Sequence, residues 1–151
     1  MPIVSLEALP LEGPLLGIDP GSKTLGVAGC DALRLIASPL ETIKRTKLAA
    51  DLDALFALFD RQSAVGVVLG LPLNMDGTEG PRAQSARTFA RNLMNARDLP
   101  LALQDERLST AEAERALITA DVSRARRAEL IDKSAAAVIL QTAIDRLANT
   151  A

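Results

Sequence analysis

Residues 15–28 (LLGIDPGSKTLGVA) are the stretch that most constrains the fold of this chain. Two apolar runs flank a Pro-Gly turn, which is the pattern of a β-hairpin. Asp19 lies where the first run ends, and Gly21 follows two residues later. Because Gly21 has no Cβ, the chain can turn sharply there and let a metal ion or a phosphate approach the backbone. The segment alone leaves two interpretations open, since Asp19 either caps the turn or serves a ligand site.

The remainder of the chain alternates short apolar runs with helical periodicity. Further strands are predicted at Leu33–Ile43, at Ala64–Gly70, which reads as covered on both faces, and at Leu99–Gln104. Helices are predicted from apolar spacing at Leu48, Leu52, Leu55, Phe56 and Phe59, over Ser85–Arg97, from Ser109, and from Glu129 to Leu147. This order predicts an α/β fold with a five-stranded mixed sheet, three antiparallel strands and then two parallel crossovers, flanked by helices.

Length and composition bound the class of protein. The 151 residues predict one domain, 1–151, of which residues 1–13 are an irregular leader. No apolar run reaches the length of a membrane span, and the N-terminal segment lacks the basic start of a signal peptide. Cys30 is the single cysteine, which excludes an internal disulfide and fits a reducing cytoplasm. We therefore expect a cytoplasmic protein with no membrane partner.

The chain contains no histidine. This excludes a histidine general base, a Ser-His-Asp triad and His-ligated zinc. With one cysteine as well, any metal must be bound by oxygen atoms, which favours Mg²⁺ or Mn²⁺. The net charge of -2 gives no overall attraction to nucleic acid, and three phenylalanines do not favour a base-stacking platform. A nucleic-acid partner would therefore be bound through local basic patches.

Three carboxylates are expected at one edge of the sheet. Ligands of such sheets gather beyond the carboxyl ends of parallel strands, where Asp19, the Gly70-Leu71-Pro72 corner and Glu106 would meet. The third acid is Asp132, in the first turn of the last helix on its sheet-facing side. Acids this close would repel one another unless a divalent ion neutralises them. The alternative for Asp132 is a negative charge near a helix N-terminus, worth about 0.3–1 kcal/mol. The apolar stripe that follows Asp132 consists of Ala136, Ile139 and Ala143.

Four segments resemble the signature blocks of the YqgF family, also called RuvX or Holliday-junction-resolvase-like. They are Leu16–Ala28 (LGIDPGSKTLGVA), Val68–Ala83 (VLGLPLNMDGTEGPRA), Asp105–Thr110 (DERLST) and Ile131–Gln141 (IDKSAAAVILQ), and the resemblance extends over nearly all of residues 15–148. It implies an RNase H-like fold and a bacterial cytoplasmic nuclease that processes the 5′ end of precursor 16S ribosomal RNA. Holliday-junction cleavage is the alternative activity. The family's acidic site falls on Asp19, Glu106 and Asp132.

Phosphodiester hydrolysis without histidine can use two metal ions. We expect Asp19 to bridge two Mg²⁺ or Mn²⁺ ions, with Glu106 and Asp132 each completing one of them. Basic residues near these acids are the candidate phosphate-binding residues, although each one taken singly is better explained as a surface charge. They are Lys23, Arg82, Arg107, Arg124, Arg126, Arg127 and Lys133.

Two other functions stay open from the sequence. Actin-like sugar and acetate kinases hold ATP phosphates with a similar Asp-x-Gly turn, but they need two related domains and this chain supplies one. A ribosome- or transcription-associated adaptor would keep the fold without the chemistry, although it has no need for three acids. The expected partners are precursor ribosomal RNA or branched DNA, together with ribosomal particles. The sequence does not separate RNA from DNA or a monomer from a dimer.

Overall fold

A computed structural model describes residues 3–105 and 135–150 of the chain, with side chains to residue 148 in the second range. The strands are Leu15–Pro20 (β1), Thr24–Cys30 (β2), Ala37–Lys44 (β3), Gly66–Leu71 (β4) and Leu101–Asp105 (β5). The helices are Leu48–Arg61 (α1), Pro81–Ala96 (α2) and Ala135–Thr150 (α3), and a 3-10 helix spans Leu6–Ala8. The five strands form one sheet in the order β3-β2-β1-β4-β5.

The strand pairing confirms the predicted mixed sheet. β2 is antiparallel to both β1 and β3, whereas β4 is parallel to both β1 and β5. The register places Ile18 of β1 beside Leu69 of β4, and Leu69 beside Leu103 of β5. The carboxyl ends of β1, β4 and β5 therefore share one edge of the sheet, as the sequence predicted.

The two faces of the sheet are covered by different helices. We call them the α1/α2 face, where Leu55, Phe89 and Leu93 pack on strand residues such as Ile18, and the α3 face. On the α3 face, Ala and Ile side chains of α3 pack on the other set of strand residues. The predicted apolar stripe of α3 is confirmed, because Ala136, Ile139 and Ala143 are all buried.

The third strand begins later than predicted, at Ala37 instead of Leu33. The carboxylate of Asp31 accepts hydrogen bonds from the backbone N–H groups of Leu35 and Ile36, at 3.0 and 3.3 Å. Arg34 adopts a positive φ of 57°, which breaks an extended conformation. These hydrogen bonds from Leu35 and then Ile36 also lower the pKa of Asp31. The apolar pattern predicts a strand from Leu33 because it does not show this side-chain capping.

Other boundaries differ for local reasons. α2 begins at Pro81, four residues before the predicted start, because proline has its favoured position in the first helical turn. Leu48 was predicted on the packed face of α1 but is 41% exposed, since it is the first residue of that helix. The helix predicted from Ser109 and the predicted start of the last helix at Glu129 lie outside the described residues.

The segment before β1 packs onto the sheet. Leu6 and Leu9 are buried in the cluster on the α3 face. The N–H of Val4 donates to the carbonyl of Leu101 at 2.9 Å, which ties the segment to the start of β5. No helix in the described part of the chain combines the length and the apolar character needed to cross a membrane.

Candidate functional site

Asp19 lies near the carboxyl end of β1, opposite Gly26 of β2. The Gly21 N–H donates to the backbone carbonyl of Asp19 at 3.1 Å, so the main chain itself closes the turn. A Cβ on Gly21 would lie 2.6 Å from the carbonyl oxygen of Thr24, which explains why this position needs glycine. Closing the turn therefore does not require the Asp19 carboxylate.

A cleft of about 340 Å³ on the α3 face contains Asp19. A Cβ on Gly26 would lie 3.5 Å from the Asp19 Cβ and 3.6 Å from the Ala136 Cβ, so the glycine leaves this space open. Thr42 lies opposite Gly26 in the same row of the sheet and also lines the cleft. Asp19 and Thr42 both line this cleft, and carboxylate and hydroxyl oxygens are the donor chemistry that suits Mg²⁺ or Mn²⁺.

A second glycine lies beside Asp19 on β4, the other neighbour of β1. After the Ile18–Leu69 pair, the next residue of β4 is Gly70, which pairs with Gln104 of β5. The Gln104 side chain is fully buried, and its Oε1 accepts a hydrogen bond from Arg146 Nη1 of α3 at 3.1 Å. Its Nε2 has no hydrogen-bond partner in the described part of the structure. A buried donor without a partner costs about 1–3 kcal/mol, so among the described residues this amide is an unsatisfied polar group beneath α3, near the same sheet edge.

The structure describes some of the predicted site residues. Asp19 is described, whereas Glu106 and Asp132 lie outside the described residues. Within residues 3–105 and 135–148, no group of three acidic or cysteine side chains is placed to hold a metal ion. Lys23 is exposed in the β1–β2 turn, and Arg82 is exposed in the first turn of α2. The remaining basic residues predicted for this site lie outside the described residues: Arg107, Arg124, Arg126, Arg127 and Lys133.

A larger cleft, of about 790 Å³, lies on the opposite side of the β1–β2 turn. The turn residues Gly21 and Ser22 form one wall, and the first turns of α1 and α2 form another. Arg82 lines this cleft and not the cleft that contains Asp19. The hairpin turn therefore separates two concave surfaces, one holding the acid and the other holding a predicted phosphate-binding residue.

Arg45 connects the hairpin turn to the helices on the α1/α2 face. Its Nη1 donates to the carbonyl of Gly21 at 2.8 Å, and its guanidinium lies 5.3 Å from the centroid of the Phe89 ring. Its Nε lies 3.8 Å from Oδ2 of Asp51, which is only 3% exposed. The other Asp51 oxygen accepts the backbone N–H of Thr46 at 3.0 Å. Asp51 is thus a buried carboxylate that is both paired and hydrogen-bonded.

Sequence reasoning missed Arg45 and Asp51, although a signal for Asp51 was present. Asp51 begins an apolar stripe that continues through Leu55 and Phe59, and this is the pattern that singled out Asp132. The role of Arg45 had no such signal, since its contacts come from residues distant in sequence.

The loop between β4 and α2 is held by its own side chains. Thr78 donates its N–H and its hydroxyl to Asp76, at 3.0 and 2.6 Å, and Asn74 donates to the Thr78 hydroxyl at 3.0 Å. Arg87 binds Glu79 through two hydrogen bonds, at 2.5 and 2.9 Å, and these lower the pKa of the Glu79 carboxyl. These hydrogen bonds give Asn74 and Asp76 a structural role in the turn.

The chain is similar to known sequences over most of its length. A family model named RuvX, described as Holliday junction resolvase, matches residues 13–146. A relative from Paracoccus denitrificans is 59% identical over 141 residues, which are 93% of this chain and 89% of the relative. A relative from Rhodospirillum rubrum is 55% identical over 152 residues, covering 97% and 94% of the two chains. Both relatives are provisionally named pre-16S rRNA nucleases.

Comparison with solved structures supports the fold. RuvC of Thermus thermophilus superposes with a TM-score of 0.55 and 16% identity, covering 91% of this chain and 97% of that one. The yeast mitochondrial Holliday junction resolvase Ydc2 gives a TM-score of 0.56 and 13% identity, covering 97% and 81%. At these identities the likeness concerns the fold alone, and it confirms the predicted RNase H-like class.

Proposed function

Since this chain belongs to the RuvX family, we propose that it is a nuclease that hydrolyses phosphodiester bonds in precursor 16S ribosomal RNA. The match covers residues 13–146, and the curated relatives align over most of their own length. The observation that carries the proposal is the position of Asp19. Its carboxylate is not needed for the turn, lies at the carboxyl edge of parallel strands, and lines a cleft that glycine keeps open.

We assign the acidic site to Asp19, Glu106 and Asp132. Glu106 follows β5, whose carboxyl end shares an edge with the end of β1. Asp132 precedes α3, whose residues Ala135 and Ala136 line the Asp19 cleft. Glu106 therefore follows a strand that ends at the same sheet edge as β1, and Asp132 lies three residues before Ala135, which lines the cleft. The absence of histidine leaves carboxylates as the groups able to organise the reaction.

The three acids would hold divalent cations, most simply two Mg²⁺ or Mn²⁺ ions, through their carboxylate oxygens. When bound, such ions activate water and offset the charge that develops on the phosphate. The residues of the protein itself would bind and orient the RNA backbone. Lys23 lies in the hairpin turn and Arg82 lines the larger cleft beside it, and each can bind a phosphate of the strand. We include Arg107, Arg124, Arg126, Arg127 and Lys133 in this basic set.

The substrate is proposed to be RNA because the relatives carry the name of a pre-16S rRNA nuclease. The second candidate is a four-way DNA junction, which the description of the family model favours. We place the RNA activity in the cytoplasm, on precursor ribosomal particles. Backbone hydrolysis has the same chemistry on both nucleic acids, so the choice must come from a direct comparison of substrates.

The decisive experiment compares cleavage of a precursor rRNA fragment, a four-way DNA junction and plain duplexes with Mg²⁺ or Mn²⁺. Replacing Asp19 by Asn is expected to abolish metal-dependent cleavage, a loss of about 10³-fold or more, with the melting temperature close to wild type. Asp53→Asn is the matched control, because Asp53 is an exposed carboxylate on α1 and its loss changes the net charge equally.

Unchanged cleavage by the Asp19→Asn variant would remove Asp19 from the mechanism. Cleavage of the junction with the RNA left intact would make the protein a resolvase. RNA binding that is indifferent to both Mg²⁺ and Asp19, with no cleavage, would instead indicate an adaptor.

A further inference from the structure

We propose that Arg45 is a positioning residue that fixes the turn following Asp19 and thereby the direction of the Asp19 carboxylate. This inference rests on the proposed function for its catalytic consequence. Its structural part, the fixing of the turn, stands on the contacts of Arg45 alone.

Arg45 holds the β1–β2 turn at two points. Its backbone N–H donates to the carbonyl of Lys23 at 2.9 Å, and its side-chain Nη1 donates to the carbonyl of Gly21 at 2.8 Å. Gly21 in turn donates its own N–H to the carbonyl of Asp19 at 3.1 Å. A continuous series of hydrogen bonds therefore runs from the guanidinium of Arg45 through the turn to Asp19.

The guanidinium is itself held from two sides. The ring of Phe89 on α2 lies 5.3 Å from it, which is the range of a cation–π contact. The buried carboxylate of Asp51 on α1 lies 3.8 Å from its Nε, and Asp51 is fixed by the backbone N–H of Thr46. Because these neighbours already order the side chain, little rotational freedom is lost when Arg45 binds the Gly21 carbonyl.

Arginine is specifically suited to this position. Its planar group can stack on Phe89, face Asp51 with one nitrogen and donate to Gly21 with another. A lysine carries one compact charge on a flexible stem and lacks the planar fork, so it cannot make all three contacts in the same geometry. Arg45→Lys is therefore expected to give a partial effect and Arg45→Gln a full one.

The chain offers a matched control in Arg97. This residue also combines stacking with a carboxylate, since it lies 5.5 and 5.1 Å from the rings of Phe56 and Phe59 and 2.6 Å from Asp60. It follows α2, whereas Arg45 faces the first turns of both helices. Its loss removes similar interactions at the other end of the helix pair without touching the Asp19 turn.

The experiment compares wild type, Arg45→Gln, Arg45→Lys and Arg97→Gln. Amide hydrogen exchange of residues 16–26 is measured without metal, and kcat and KM are measured on the precursor rRNA fragment with Mg²⁺. Arg45→Gln is expected to speed exchange at Gly21 and to lower kcat about 10- to 100-fold with KM within about twofold, because orientation is lost while binding is kept. The exchange rate and kcat of Arg45→Lys should lie between those of wild type and Arg45→Gln. Arg97→Gln should change only the melting temperature.

Exchange in residues 16–26 that is the same in Arg45→Gln and Arg97→Gln would overturn the proposal. A raised KM with unchanged kcat would also overturn it, since Arg45 would then be a substrate-binding residue of the larger cleft. If wild-type protein shows no metal-dependent cleavage, the proposed function fails, while the exchange measurement still decides whether Arg45 fixes the turn. If Arg45→Gln does not fold, Arg45→Lys decides by the same two readouts.

Discussion

The α1/α2 face and the α3 face of one sheet are packed by different means. Large side chains such as Leu55, Phe89 and Leu93 fill the α1/α2 face. On the α3 face, small residues let the helix backbone approach the strands closely, and a Cβ on Gly17 would lie only 2.7 Å from the Leu140 Cβ. Large side chains bury more apolar surface and so contribute more stability. The α3 face instead brings the start of α3 against the cleft that contains Asp19.

This comparison predicts that stability and activity can be separated by face. Substitutions on the α1/α2 face should lower the free energy of unfolding while the folded molecules remain active. Substitutions on the α3 face should change activity more than their effect on stability suggests. Three variants test this division, in order of their expected effect on stability.

Leu93→Ala is expected to have the largest effect on stability. Leu93 is 1% exposed within the cluster on the α1/α2 face. Truncating such a leucine costs about 2–5 kcal/mol of unfolding free energy, through lost burial and the cavity that remains. Urea unfolding measures this cost, and cleavage is assayed well below the melting temperature. A large loss of kcat in the folded fraction would contradict the division between the faces.

Gly17→Ala is expected to destabilise less and to affect cleavage more. The added Cβ would lie 2.7 Å from the Leu140 Cβ and 3.1 Å from the Ala136 carbonyl oxygen, so α3 must move away from β1. Overpacking of this kind costs about 1–3 kcal/mol. Because α3 lines the Asp19 cleft, kcat should fall roughly 10²-fold. Retained kcat would show that the position of α3 does not matter for the reaction.

Gly26→Ala should have the smallest effect on stability and still reduce activity. The new methyl group meets only ordinary contacts, 3.5 Å from the Asp19 Cβ and 3.6 Å from the Ala136 Cβ. Replacing glycine by alanine reduces the conformational freedom of the unfolded chain. This raises stability by about 0.4–1 kcal/mol where alanine can adopt the native backbone conformation. The methyl occupies cleft space beside Asp19, so cleavage should fall roughly tenfold or more. Wild-type cleavage by this variant would mean that the space beside Asp19 is not used.

Much of the fold was predictable because the order of strands and helices along the chain, and the spacing of apolar residues within them, can be read from local sequence. The five strands, the mixed pairing and the shared carboxyl edge followed from runs such as Ala64–Gly70 and from the spacing of Leu52, Leu55 and Phe59. The predicted start of the third strand at Leu33 was wrong, because the side chain of Asp31 caps the segment before β3. Such a hydrogen bond competes with strand formation and leaves no trace in apolar periodicity.

Two acids at the start of apolar helical stripes show what the spacing of residues can and cannot predict. Asp51 and Asp132 both precede such a stripe in sequence. Asp51, which sequence reasoning missed, is 3% exposed and lies 3.8 Å from Arg45, so its carboxylate faces inward as the pattern would have predicted. For Asp51 the spacing matches the burial of the acid, whereas the spacing does not identify Arg45 as its partner. The assignment of Asp132 to the acidic site stays a prediction.

The sequence alone determined which chemistry is open to this protein. Without histidine and with one cysteine, oxygen atoms are the available ligands for a metal, and the hairpin pattern set Asp19 at a strand end. Only the tertiary structure decided what surrounds that acid: glycine on the neighbouring strand, the start of α3 above it, and Arg45 behind its turn. The reason is that a local pattern fixes the direction in which a residue faces, whereas its neighbours depend on how distant segments pack.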